Sequence, residues 1–161
     1  MSGHIATAGR TDWCTPQKIV DAAWRALGGC IDLDPCSNVS SLVGARREIR
    51  LPADGLAVKW TGRVYVNPPF GRDLPRWVDK CRQSYIQNSA SVVLLLPAAV
   101  DTRLWHDHIW WHASRVCFLR GRLRFVGASA SAPMACAVVY WGQIPELFDR
   151  AFAALGRVLT P

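Results

Sequence analysis

Hydrophobic residues along the chain follow two spacings, one typical of amphipathic helices and the other typical of buried strands. Thr15 and Pro16 open a stretch with apolar residues at helical spacing, which ends at Gly28 and Gly29. The almost wholly apolar run at 92–96 is instead typical of a central parallel strand. The same patterns predict strands at 30–33, 48–51, 63–66, 115–119 and 136–141, and helices at 74–88, 102–112 and 145–155.

This alternation of strands and helices predicts an α/β fold, in which a mostly parallel sheet carries helices on both faces. The 161 residues suit one domain spanning 1–161, and we expect the small, polar residues at 1–10 to be flexible. Ligands of such sheets bind at the carboxyl ends of the strands. The turns after Leu33, Val66, Leu96 and Leu119 are therefore the places where chemistry is expected.

The chain has a net charge of +7, and sixteen of its nineteen basic residues are arginines. This balance is compatible with a nucleic-acid partner, because the arginine guanidinium forms paired hydrogen bonds with phosphate groups and guanine edges. The alternative is a genome rich in G and C, whose codons enrich arginine. Charge alone does not separate the two interpretations.

Cysteine and histidine spacing argues against a metal site. No two of the six cysteines have the spacing of a zinc or redox site, so we expect buried thiols in a reducing compartment. No acidic or cysteine partner completes a site with His106, His108 and His112, which we expect on a helix surface. No apolar run is long enough for a membrane span, and we recognise no secretory signal, so a cytoplasmic location is expected.

The tetrapeptide Asn67-Pro68-Pro69-Phe70 follows the predicted strand at 63–66 directly. The Asn67 side-chain oxygen and the Pro68 carbonyl can accept the two hydrogens of a planar amino group, which favours a more tetrahedral, nucleophilic nitrogen. Two consecutive prolines stiffen the loop, and Phe70 can stack on a flipped-out base. The alternative is an ordinary Asn-Pro turn.

Two acidic turns are further candidates for ligand binding. In the segment Asp32–Ser37, Asp34 lies at the end of the predicted strand, where a carboxylate can accept hydrogen bonds from the amino group of a methionine moiety. Asp54, followed by Gly55, can accept from the amino group of an adenine moiety. An Asp-Pro turn and a surface turn are the alternatives. No glycine-rich phosphate loop follows, which disfavours a pyrophosphate cofactor.

Several arginines are candidates for contact with DNA. Arg103 follows a strand end, where the alternative is a solvated side chain in the first turn of a helix. Arg120, Arg122 and Arg124 alternate with other residues, which places them on one face of an extended segment. That face is either a phosphate-binding stripe or a solvated surface.

Together, these residues resemble the phage-type adenine DNA methyltransferase family, the Dam-like enzymes of phages and prophages. The similarity runs along most of the chain and in the same order. It is carried by Trp13-Cys14-Thr15-Pro16, Asp32–Ser37, Asp54-Gly55-Leu56 with Trp60, Val66–Phe70, Trp77-Val78, Leu96-Pro97-Ala98, Asp101-Thr102-Arg103 with Trp105-His106, and Gly121–Phe125. Phe70 stands where tyrosine is common in the family, and stacking requires only the ring.

The resemblance implies a Rossmann-like methyltransferase fold that uses S-adenosylmethionine as methyl donor. Thr15, Pro16 and Asp34 would contact the methionine end of the cofactor, and Asp54 would hold its adenine. Glu48 and Asn38 are candidates for the ribose contact. The whole set of cofactor-binding residues so implied is Thr15, Pro16, Asp32, Asp34, Pro35, Ser37, Asp54 and Asn67.

We therefore expect methyl transfer from S-adenosylmethionine to the N6 amino group of adenine in DNA, with Asn67, Pro68, Pro69 and Phe70 as catalytic residues. Arg103, Arg120, Arg122 and Arg124 would contact DNA. The alternatives are another planar amino group (cytosine N4, RNA adenine or a protein glutamine) and a non-catalytic nucleic-acid-binding protein. The sequence suggests no separate target-recognition domain and leaves a dimer open.

Overall fold

The computed structural model describes residues 13–161, so the predicted flexibility of residues 1–10 lies outside the described part. The described chain forms four helices and seven strands. In chain order they are α1 (Gln17–Ala26), β1 (Leu33–Ser37), β2 (Arg47–Arg50), β3 (Arg63–Val66), α2 (Leu74–Asn88), β4 (Ser91–Pro97), α3 (Arg103–His108), β5 (Arg115–Leu119), β6 (Cys136–Trp141), α4 (Pro145–Phe152) and β7 (Gly156–Leu159).

The strands form a single sheet in the order β2-β1-β3-β4-β6-β5-β7. Neighbours are parallel from β2 to β4 and antiparallel from β4 to β7. The predicted parallel arrangement is therefore confirmed for β2, β1, β3 and β4, while β6 and β7 run against the rest. Because β4 and β5 are both antiparallel to β6, the carboxyl ends of β1, β3, β4 and β5 meet at one edge, called here the carboxyl edge.

Helices cover both faces of the sheet, as the sequence predicts. Val93 and Leu95 of β4 pack in a cluster with α1 and α4, whereas Val92 and Leu94 pack in a second cluster with α2 and α3. All four side chains are fully buried. Burial on both faces explains why the sequence of β4 is a continuous apolar run instead of an alternating one. No helix among residues 13–161 is long and apolar enough to cross a membrane.

The first strand differs from its prediction. β1 begins at Leu33 and continues through Pro35 to Ser37, where the sequence predicts a strand at 30–33 followed by a turn. Its pairing with β2 shifts register between Asp34 and Ser37. A bulge of this kind accommodates a proline, which has no N–H to donate to the neighbouring strand. The acidic segment is therefore part of the sheet and ends at the carboxyl edge.

Two other differences concern the ends of helices. α3 stops at His108 instead of 112, and the chain passes through a left-handed conformation at Trp111, with φ of 68°. α4 stops at Phe152, and the unpredicted β7 follows. A Cβ atom on Gly156 would lie 2.1 Å from the carbonyl oxygen of Phe118, so only glycine permits this close pairing with β5.

Candidate functional site

The side-chain amide of Asn67 lies directly after β3, at the carboxyl edge. Its Nδ2 atom donates to the carbonyl oxygen of Trp13 and to the hydroxyl of Thr15, both at 3.2 Å. Among residues 13–161, neither Asn67 Oδ1 nor the Pro68 carbonyl oxygen accepts a hydrogen bond. The loop therefore holds two neighbouring acceptors that the described protein does not use itself.

Thr15 is buried beside this amide. Only 3% of its surface is exposed, and its Oγ1 lies 2.8 Å from the hydroxyl oxygen of Tyr65 in β3. Tyr65 is fully buried, and burial raises the pKa of its hydroxyl well above the usual value. The Thr15 hydroxyl, which the resemblance assigns to the cofactor, is therefore engaged with two side chains of the protein.

Three aromatic rings lie beside the Asn-Pro-Pro-Phe loop. Phe70 meets Phe125 edge to face, with ring centroids 6.1 Å apart, and Phe125 stacks on Trp13 at 5.1 Å. The backbone N–H of Val126 donates to the carbonyl oxygen of Cys14 at 3.0 Å. The segment after β5 is thereby joined both to the N-terminal segment and to the loop that carries Asn67.

Asp34 is a buried carboxyl group in β1. It is 3% exposed and accepts the backbone N–H of Cys36 at 3.0 Å. The pKa of Asp34 is raised to about 7, mainly by burial and also by the nearby Glu48 carboxylate, while hydrogen bonds from Cys36 and Ser37 act in the opposite direction. A carboxyl group in this state ionises near neutral pH and favours an incoming cation.

Asp32 lies directly before Leu33, the first residue of β1. Its carboxylate accepts the backbone N–H of Arg63 at 2.9 Å and the Nε of the same residue at 2.8 Å, and it lies 3.3 Å from Arg46. The bond with Arg63 lowers the pKa of Asp32. This carboxylate therefore links strands at the amino edge, and the structure does not bring it together with the predicted residues at the carboxyl edge.

Asp54 belongs to a loop that packs against β1. Its Oδ1 accepts the N–H of Leu56 at 2.8 Å, which forms a tight turn. A Cβ atom on Gly55 would lie 1.7 Å from the carbonyl oxygen of Pro35, and the Trp60 indole donates to the Gly55 carbonyl at 2.8 Å. Gly55 and Trp60 therefore hold Asp54 near the carboxyl half of β1. This packing explains why a glycine and a tryptophan occupy these two positions of the motif.

Three further predicted cofactor residues, Pro16, Pro35 and Ser37, lie next to Thr15 or along β1. Pro16 precedes α1, and its carbonyl oxygen accepts the N–H groups of Ile19 and Val20 at 2.9 and 3.2 Å. Pro35 and Ser37 lie in the irregular half of β1 that reaches the carboxyl edge. Pro35 and Ser37 accordingly lie close to Asp34 along the strand, and Pro16 lies beside Thr15.

The alternation around Arg122 is confirmed in part. Arg122 and Arg124 are exposed, whereas Leu123 and Phe125 are buried. The two guanidinium groups donate to carbonyl oxygens of the segment at 128–133 over 3.0 to 3.4 Å. Arg120 is exposed too, but the left-handed Gly121 separates it from the extended stretch. The segment leaves β5 at the carboxyl edge with its cations toward solvent.

Arg103 begins α3, after the carboxyl end of β4. Its side chain is 97% exposed, and its Nε lies 3.7 Å from the Asp107 carboxylate. An exposed pair of this kind contributes little to stability, so the cation stays available to another partner.

The sequence interpretation gave no role to Tyr65 and none to Phe125 beyond its place in a motif. Tyr65 precedes Asn67 by two residues, so both side chains point to the same face of the strand. A hydroxyl at that spacing, between the apolar residues Val64 and Val66, is the signal that identifies Tyr65. Phe125 could be recognised only after folding, since its partners Trp13 and Phe70 are remote in sequence.

Within residues 13–161 there is no group of three or more His, Cys, Asp and Glu side chains arranged to hold a metal ion.

A protein-family model described as DNA N-6-adenine-methyltransferase (Dam) matches residues 2–144. No curated protein matches the sequence. The matched range contains Asn67 and each of the acidic and basic residues discussed above.

Proposed function

The chain belongs to the DNA N-6-adenine-methyltransferase (Dam) family, and on this premise we propose that it transfers a methyl group from S-adenosylmethionine to the N6 amino group of adenine in DNA. The orientation of the Asn67 amide carries the proposal. Both of its hydrogen bonds to Trp13 and Thr15 use Nδ2, so Oδ1 is the atom left for a substrate. An amino group, which has two hydrogens to donate, matches Oδ1 and the adjacent Pro68 carbonyl.

S-adenosylmethionine supplies an electrophilic methyl group on a sulfonium sulfur. Asn67 Oδ1 and the Pro68 carbonyl oxygen accept the two amino hydrogens of adenine, which favours a tetrahedral nitrogen with a localised lone pair. With S-adenosylmethionine held at this edge, that lone pair would accept the methyl group as the bond between the methyl carbon and sulfur breaks. The nitrogen then releases one proton to solvent. Pro69 adds rigidity, because its ring fixes one backbone torsion of the loop.

The acidic residues near β1 fit the cofactor. Asp34 is a buried carboxyl group with a raised pKa, and an ammonium group beside it compensates the carboxylate for its lost hydration. The methionine end of the cofactor carries such a group. Pro35, Ser37 and Asp54 lie along the same half of β1 or in the loop packed on it, and they complete the proposed site for S-adenosylmethionine.

The carboxyl edge also fits a DNA substrate. Phe70 is partly exposed beside Asn67, and its ring can stack on an adenine that has left the duplex. Arg103, Arg120, Arg122 and Arg124 are exposed on segments that leave β4 and β5 at the same edge. We propose that they contact phosphate groups, which would make DNA affinity fall as salt rises. A sheet covered on both faces by helices is consistent with the proposed Rossmann-like methyltransferase fold.

Methyl transfer to DNA by the Asn67→Ala variant tests the proposal. With tritiated S-adenosylmethionine and adenine-containing duplex DNA, we expect turnover to fall at least a hundredfold. Cofactor binding, measured by isothermal titration, should persist. The matched control is Gln87→Ala, which removes an exposed amide on α2. Unchanged turnover in Asn67→Ala contradicts the proposal.

Nucleoside analysis of the product identifies the acceptor. N6-methyladenine in DNA supports the proposal, whereas N4-methylcytosine, or transfer to RNA alone, contradicts it. Failure of the wild-type protein to bind S-adenosylmethionine would favour a non-catalytic nucleic-acid-binding protein of the same fold.

A further inference from the structure

We infer that Thr15, supported by Tyr65, is a positioning residue that fixes which end of the Asn67 amide faces the acceptor amine. This inference rests on the proposed function and changes the role that the sequence suggests for Thr15. The resemblance assigns Thr15 to the cofactor. The hydrogen bonds assign its hydroxyl to Asn67 and Tyr65.

The two ends of a side-chain amide have nearly the same shape and opposite hydrogen-bonding properties. If Asn67 turned over, it would present NH₂ to the adenine amino group, and two donors would face each other. The Trp13 carbonyl oxygen can only accept, so it favours Nδ2 on its side. Thr15 lies at the same distance, 3.2 Å, and receives the second hydrogen.

A hydroxyl can donate as well as accept, so Thr15 alone would not select Nδ2. Tyr65 resolves this ambiguity, because its hydroxyl is 2.8 Å from Thr15 Oγ1 and forms the other hydrogen bond. The selection requires that Thr15 donates its only hydrogen to Tyr65, because the lone pairs that then remain on Thr15 can bind Nδ2 but not Oδ1. The relay therefore runs from Tyr65 through Thr15 to Asn67.

The burial of Thr15 and Tyr65 strengthens the preference for this orientation of the Asn67 amide. Thr15 is 3% exposed and Tyr65 is fully buried, so water does not readily replace a missing partner. A buried polar group without a partner carries a large desolvation penalty, which holds the three groups in their observed pairing. The Asn67 oxygen is thereby oriented before any substrate binds, as catalysis by electrostatic preorganisation requires.

Thr15→Val replaces the hydroxyl with a methyl group of similar size, and Thr15→Ser keeps the hydroxyl. We expect kcat of Thr15→Val to fall roughly tenfold, because small errors in orientation slow the reaction sharply. The dissociation constant for S-adenosylmethionine should stay within about twofold. Thr15→Ser should recover most of the lost rate. A raised dissociation constant with unchanged kcat would overturn the inference and support a cofactor contact.

Thr15→Val leaves the Tyr65 hydroxyl buried without its partner, so the variant risks misfolding. The double variant Thr15→Val/Tyr65→Phe removes both hydroxyls and leaves neither unpaired. We expect it to fold and to retain the low kcat. Thr61→Val is the matched control, since Thr61 is exposed and lies before β3, whereas Asn67 follows the other end of that strand. A double variant with wild-type kcat would overturn the inference.

A measurement without methyl transfer separates this inference from the proposed function. In ¹⁵N-labelled protein, the two Asn67 side-chain hydrogens should exchange slowly with solvent, and one of them should exchange at least tenfold faster in the double variant. Unchanged exchange rates would overturn the positioning role even if the wild-type enzyme methylates DNA. If the wild-type protein were inactive, the proposed function would be contradicted. The exchange rates of the Asn67 hydrogens would still show whether Thr15 orients the Asn67 amide.

Discussion

Asp32 directly precedes β1 and Asp34 is the second residue of that strand, yet their surroundings shift the pKa values of the two carboxyl groups in opposite directions. Asp32 is bound by Arg63 and Arg46, which lowers its pKa. Asp34 forms no ion pair with any residue in the range 13–161, and burial raises its pKa to about 7. A carboxylate already paired at rest stabilises the sheet, whereas a buried carboxyl group without a cationic partner is suited to receive one from a ligand.

Among the substitutions that test this difference, Asp34→Asn should have the largest effect on cofactor affinity. The substitution keeps the shape and removes the charge that is proposed to bind the cofactor ammonium group. We expect the affinity for S-adenosylmethionine to fall by roughly two orders of magnitude, or about 3 kcal/mol. Isothermal titration measures it, with Asp21→Asn on the exposed surface of α1 as control. Equal affinities in the two variants would refute the ligand role of Asp34.

The pH dependence of cofactor affinity tests whether the ionised form of Asp34 binds the cofactor. Because Asp34 with a pKa of about 7 must ionise to bind a cation, affinity should fall by roughly tenfold for each pH unit below 7. The Asp34→Asn variant should lack this slope. Titrations between pH 5.5 and about 8.5 provide the test.

Stability should respond to pH with opposite signs at the two residues. The raised pKa of Asp34 means that the unfolded chain ionises first, so its contribution to stability declines as pH rises from about 4 to 7. The lowered pKa of Asp32 gives a contribution that is present above about pH 4 and is lost as pH falls through the folded-state pKa. Urea unfolding of Asp32→Asn and Asp34→Asn across this range separates the two.

Gly55→Ala tests how closely the Asp54 loop must pack on the carboxyl half of β1. The added Cβ would meet the Pro35 carbonyl oxygen, so the loop must shift, at a cost of about 2 kcal/mol in the free energy of unfolding. Cofactor affinity should weaken too. Gly71→Ala is the control for stability, because nothing lies within 4 Å of the position that its added methyl group would take. Equal melting temperatures for the two variants would contradict the close packing.

Asp32→Asn has the smallest expected effect. Its partner Arg63 is partly exposed, so solvent weakens the ion pair, and we expect a loss of about 1 kcal/mol in the free energy of unfolding. Cofactor affinity should not change. If Asp32→Asn lowered the affinity for S-adenosylmethionine without lowering the free energy of unfolding, Asp32 would be shown to contribute to cofactor binding.

Local sequence patterns predict much of this fold. The segments Arg63–Val66, Leu74–Asn88, Arg115–Leu119 and Cys136–Trp141 have the predicted bounds, because apolar periodicity reports which side chains are buried. The failures occur where backbone geometry decides. Proline in β1 suggests a turn but is accommodated by a bulge, and the β7 pairing depends on a close approach at Gly156.

For the candidate site too, local sequence patterns predict some features and not others. The Asn-Pro-Pro-Phe motif identifies Asn67 because its chemistry is contained in four consecutive residues. The partners of Asn67 come from a segment more than fifty positions earlier, and no local pattern encodes that contact. Likewise, the sequence favours Asp34 over Asp32 only from its place at the end of a predicted strand, and the paired strands decide which of the two meets arginine.

The contact of Trp13 with Phe125, and of Cys14 with Val126, has a consequence for how the protein is made. Contacts between such distant parts of a chain close late in folding. A growing polypeptide that has passed Asn67 but has not reached Phe125 lacks this residue, which stacks on Trp13. We therefore expect the ability to modify DNA to arise only once synthesis has passed Val126, so products truncated before this residue should be inert toward the genome.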